Sequence, residues 1–86
     1  MEECIRVLME SIYNNLSKRR AKAAYMYRKT DGDSDYESEW DECWKYMQEV
    51  EIDAAEEGYE FVRLAIARVE RIEYNIYRLK PAKETK

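Results

Sequence analysis

The chain has 86 residues, 15 of them basic and 19 acidic, for a formal charge of −4. One domain at most fits that length, with a core that buries only about two-thirds of the surface the unfolded chain exposes. Two glycines and one proline are too few turn formers for a β sandwich or barrel, an acidic balance argues against a protein built to neutralise phosphates, and the absence of histidine removes the commonest general base and metal ligand.

Residues 2–29 carry the first helical pattern. Ile5, Leu8, Ile12, Leu16, Ala23 and Tyr27 fall on one stripe, widened by Val7, Met9, Tyr13 and Met26. Glu2 and Glu3 at its start and Arg28 and Lys29 at its end suit the helix macrodipole. Thr30-Asp31-Gly32-Asp33-Ser34-Asp35 then breaks the helix, and Ser34 with Glu37 fits the capping-box pattern. From Tyr36 a second helix is expected, with Trp40, Trp44, Met47, Val50 and Ala54 as its apolar stripe and Cys43 alongside.

The third segment has the most regular heptad spacing. Gly58, Val62, Ala65, Val69, Ile72, Ile76 and Leu79 alternate steps of four and three residues, which predicts a third helix over 59–79. One glycine inside a helix costs only about 1 kcal/mol, so Gly58 can either end the second helix or sit within one long helix from 36 to 79. The long helix would run about 66 Å, beyond what the first helix can cover, and would need a partner chain. A break at Glu56-Glu57-Gly58 is favoured. The expected fold is therefore all-α: a single helical domain over 1–80 with helices 2–29, 36–56 and 59–79, as a three-helix bundle or a long, dimeric helical hairpin. Pro81 ends the last helix and 81–86 is expected to be a flexible tail.

Ile, Leu, Val and Phe make up only about 17% of the chain, a low fraction beside 40% charged residues. Eight Tyr, two Trp and four Met restore the balance, so a small core rich in aromatics and methionine is expected. Cys4 and Cys43 form neither a CxxC pair nor a zinc spacing. The N-terminus is acidic, without the apolar run of a signal peptide, and no stretch reaches the ~20 apolar residues of a membrane span. These features predict a cytoplasmic protein with two free thiols and no membrane association.

Charge is laid along the chain in blocks. Residues 1–17 carry −2, 18–29 carry +6, 30–60 carry −12 and 61–86 carry +4. Part of the acidic block can pair with Arg19 or Lys22 across a helical hairpin, through Glu37, Asp41 or Glu42. Six nearby bases cannot neutralise the whole block, so acidic surface should remain to attract a basic partner.

The acidic segment has one further pattern. Asp31, Asp33, Asp35, Glu39 and Glu42 fall at positions 1, 3, 5, 9 and 12 of a twelve-residue frame between two helices. This spacing resembles the calcium loop of EF-hand proteins, and the resemblance implies a calcium site at those five residues. Tyr36 stands where the loop needs glycine, and Ser38 replaces its usual aliphatic residue. The commoner meaning of acids before a helix is favourable interaction with its dipole.

The basic run Lys18-Arg19-Arg20-Ala21-Lys22 can touch phosphates, but beside a −12 block it reads as an internal counter-charge, and direct nucleic-acid binding is not expected. Without histidine there is no His-assisted nucleophile, and without a glycine-rich loop there is no phosphate cradle. No catalysis and no cofactor are expected.

The function expected from the sequence is that of a small protein-binding module, an inhibitor or regulator. Its acidic, Tyr-rich surface engages a basic site on another protein, through Asp33, Asp35, Glu37, Glu39, Asp41 and Glu42 with Tyr36 as the aromatic anchor. In size and charge alone the chain is similar to phage-borne inhibitors of nucleic-acid-handling enzymes, such as anti-CRISPR and anti-restriction proteins. That likeness implies nucleic-acid mimicry against a nucleic-acid-binding protein. The alternative is a structural homodimer joined along the Val62–Leu79 heptad.

Overall fold

Local sequence signals set both helices. In the computed structural model, which describes residues 1–82, α1 spans Glu3–Lys29 and α2 spans Ser34–Glu56. Asp31 and Gly32 take left-handed backbone angles, with φ of 61° and 96°, and so reverse the chain between the helices. Thr30 and Gly32 return their N–H groups to the Met26 and Tyr27 carbonyls at 2.9 and 2.8 Å. The N-cap is Asp33, whose carboxylate accepts from the Asp35 N–H at 2.9 Å, so the cap lies one residue before the expected Ser34. The helices are antiparallel: Arg19 meets Glu39 and Tyr13 meets Glu51.

The third element corrects the expected all-α fold. Residues 59–79 form no helix. β1 (Tyr59–Val69) and β2 (Ile72–Pro81) make a two-stranded antiparallel sheet, and the architecture is α+β. Neither the three-helix bundle, nor the long helical hairpin, nor a coiled coil along the Val62–Leu79 heptad forms. Gly58, at φ 78°, switches the chain from helix to strand. Beyond it the segment is rich in β-branched and aromatic residues, which suit a pleated surface. Glu70, at φ 58°, and Arg71 form the two-residue turn between Val69 and Ile72.

The heptad spacing has a physical explanation in the hairpin. The register steps from Arg63↔Tyr77 to Ala65↔Ile76, leaving Leu64 as an extra residue in β1. That bulge puts Val62 and Ala65 on the same face, and the turn puts Val69 and Ile72 on that face again. The set Val62, Ala65, Val69, Ile72 and Ile76 is therefore the outer face of a hairpin, in which two irregularities turn steps of two into steps of three. Leu79 falls on the opposite, inner face and is fully buried.

The core lies between the inner face of the hairpin and the two helices. Tyr13, Leu16, Cys43 and Met47 form its centre, with Val50, Phe61 and Tyr77 packed against them. Tyr13 stacks on Phe61 of β1 with ring centroids 3.9 Å apart and meets the edge of Tyr77 of β2 at 4.9 Å. One aromatic ring thus carries both strands.

A row of polar side chains on α1 closes the outer edge of β2. The Asn14 amide accepts from the Tyr77 N–H at 2.7 Å and donates to the Tyr77 carbonyl at 2.9 Å. Glu10 accepts from the Leu79 N–H at 3.1 Å, Arg6 donates to the Leu79 carbonyl at 3.4 Å, and Ser17 donates to the Asn75 carbonyl at 2.9 Å. Residues 6, 10, 14 and 17 share one helix face, where a four-residue step rises about 6 Å. Two residues of a strand rise about 6.6 Å, so a helix face can track alternate residues of β2. In hydrogen bonding α1 takes the place of a third strand.

The sheet leaves part of the expected apolar stripes uncovered. Ile5, Leu8 and Ile12, expected in the core, remain exposed, as do Trp40 and Trp44. Pro81 belongs to β2, and the Ala82 N–H donates to the Gly58 carbonyl at 2.9 Å, so the expected tail does not begin at 81. Residues 83–86 of that tail lie outside the described residues. No helix among the described residues is long and apolar enough to cross a membrane.

Candidate functional site

The acids of α2 are ordered by helix geometry. Asp35, Glu39, Glu42, Tyr46, Glu49, Asp53 and Glu56 follow one another at steps of four and three residues, and so share one face. That stripe spans about 32 Å. The opposite stripe, Trp40, Trp44, Met47 and Glu51, includes the residues that meet the hairpin: Met47 is in the core beside Phe61 and Tyr77, and Trp40 lines a cavity with Tyr74 and Asn75, while Glu51 accepts the Tyr13 hydroxyl of α1 at 2.7 Å. The acidic stripe therefore points away from the sheet.

The expected partner-binding set is divided by this geometry. Asp35, Glu39 and Glu42 stand together on the stripe. Glu37 and Asp41 lie on another side of α2, where Asp41 pairs with Lys45 at 3.6 Å. Asp33 is the N-cap of the helix. Tyr36 is half-buried beside Ala23 and Met26 of α1, so it is a packing residue and not an exposed anchor. The aromatic residue on the stripe is Tyr46, 47% exposed. Tyr46, Glu49, Asp53 and Glu56 extend the site beyond the expected residues, and the same four-three spacing in the sequence carried the signal.

Internal pairing neutralises little of the acidic block. Among the described residues, Arg19–Glu39 at 2.8 Å is the salt bridge that joins α1 to α2. Its two side chains are 57% and 43% exposed, so it contributes at most about 1 kcal/mol. Asp35, Glu42, Glu49, Asp53 and Glu56 make no salt bridge among the described residues. Arg20, also on the basic segment, instead stacks its guanidinium over the Trp40 ring at 4.1 Å.

The implied calcium loop is not assembled. α2 begins at Ser34, so Asp35, Glu39 and Glu42 belong to a helix and cannot wrap a cation as a loop does. Among the described residues no three Asp, Glu or Cys side chains converge to hold a metal ion. The thiols are free and differ in setting: Cys4 is exposed and Cys43 is buried. Burial pushes the Cys43 thiol up from its ordinary value, against the opposing pull of Arg19. Burial also pushes the Tyr13 phenol well above its ordinary value, and its hydrogen bond to Glu51 acts in the same direction.

Compared with known proteins, the chain matches no protein family, no curated protein and no solved structure.

Proposed function

We propose that the chain is a small, non-catalytic binding protein whose acidic stripe on α2 engages a basic surface on another protein, as an inhibitor or regulator. One observation carries this reading: six carboxylates and Tyr46 form a single line over residues 35–56 that faces away from the sheet, and only Glu39 of them is paired with α1. A line of negative charge with a single salt bridge among the described residues raises the association rate with a positive groove and orients the encounter. Tyr46 at its midpoint is of a residue type that anchors interfaces. The stripe offers carboxylates every 4.5 to 6 Å or so on either side of a gap of about 10.5 Å at Tyr46, an average density within about twofold of one DNA strand's charge per 3.4 Å. That similarity supports a nucleic-acid-binding protein as the class of partner.

The test uses the triple variant Glu42→Lys, Glu49→Lys, Asp53→Lys beside the wild-type chain, each immobilised and exposed to host extract. A partner held by the wild-type chain, absent from the variant and released by added duplex DNA is the expected result. A partner retained equally by both chains, with the variant's circular dichroism unchanged, would overturn the proposal.

A further inference from the structure

The two edges of the hairpin end differently, and the difference identifies a second surface. Polar side chains of α1 occupy the edge of β2. The Asn75, Tyr77 and Leu79 backbone groups point to α1, so their register partners Ile66, Arg63 and Phe61 point their own N–H and C=O groups out of the opposite edge. Arg68, opposite Glu73, continues that alternation. Among the described residues nothing pairs with this edge of β1, an eleven-residue strand without proline or lysine. An open strand edge of this length is a template for another strand.

Between the exposed Arg63 and Arg68, the middle of the open edge is apolar. Leu64 is 64% and Ile66 58% exposed, and both sit at the middle of β1. On α2, Trp44, one helical turn before the core residue Met47, is 42% exposed.

The geometry points to a second copy of this chain as the missing neighbour, joined by antiparallel pairing of β1 with β1. In the register that keeps inner face with inner face, Phe61 lies opposite Ile66 of the copy, and Val62 lies opposite Ala65 of the copy. The two-fold axis repeats both pairs, as an isologous interface requires. Tyr59 falls opposite Arg68 of the copy, and the two bulges at Leu64 meet at the axis. The product is a four-stranded sheet, β2-β1-β1-β2, with α1 closing each outer edge. No strand edge remains open, so the assembly stops at two chains and does not grow. The acidic stripe of α2 faces away from the sheet and stays exposed on both copies, so this inference does not depend on the proposed function.

Light scattering across micromolar to millimolar concentration tests it, together with two substitutions at exposed positions. The expected result is a reversible dimer of twice the 10.4 kDa chain mass. Ile66→Lys, at the strand edge, should return it to monomer with unchanged circular dichroism. Ile12→Lys, on the exposed apolar side of α1, should leave the dimer intact. In the dimer the Phe61 and Ile66 amides should exchange at least tenfold more slowly than after dilution to monomer. A monomer at every concentration would overturn the inference, as would a dimer that survives Ile66→Lys or is dissociated by Ile12→Lys.

Discussion

The edge of β2 and the edge of β1 belong to one hairpin, yet the described residues satisfy the first from within and leave the second open. Along β2, Arg6, Glu10, Asn14 and Ser17 meet the backbone at alternate residues. Along β1, Phe61, Arg63, Ile66 and Arg68 present backbone groups that no described residue meets. The comparison shows that a helix can act as a neighbouring strand when its side chains carry both donors and acceptors at one-turn spacing. An unpaired buried backbone group costs about 1–3 kcal/mol, so this row is a main reason the hairpin stays docked on α1.

The strongest way to break the comparison is Tyr13→Ala. Its ring supports Phe61 of β1 and Tyr77 of β2, and removal should cost about 3–5 kcal/mol in urea unfolding. Asn14→Ala acts on the closed edge alone. It leaves both backbone groups of Tyr77 without partners and should cost about 2 kcal/mol. Tyr13→Phe sharpens the picture through pH. The folded phenol titrates above its ordinary value of 10.0, so its contribution is fully present below that pH and is lost as pH rises beyond it. The wild-type chain should lose stability above that pH more steeply than Tyr13→Phe, as followed by thermal melts. Glu39→Gln removes an exposed pair that touches neither strand's backbone and should change stability by less than about 1 kcal/mol, with the difference vanishing in high salt.

Helix signals of the first two elements were legible in the sequence because they are local: charges at the ends of α1, the Asp31-Gly32 break, and the apolar spacing of Met47, Val50 and Ala54. The hairpin was not, because two local irregularities imitate a helix. The Leu64 bulge and the Glu70-Arg71 turn each shift the strand alternation by one, and Val62, Ala65, Val69, Ile72 and Ile76 then read as a heptad. Five β-branched residues in that set and beside it pointed the other way. Arg6, Glu10, Asn14 and Ser17 look like a solvated helix face in sequence, since only the presence of β2 gives them partners. The candidate site was half legible. Acids near the start of α2 stood out by density, whereas Glu49, Asp53 and Glu56 are spread one per turn, and only the helix brings them into line with Asp35.

The central claim is that α1 serves as the third strand for β2, and amide hydrogen exchange at concentrations where the chain is monomeric tests it most directly. The Tyr77 amide of the wild-type chain should be protected to nearly the level of the Ile76 amide, which lies on the paired side of β2. In Asn14→Ala the Tyr77 amide should lose at least tenfold of that protection relative to Ile76. Equal protection of Tyr77 in the two chains would contradict the account.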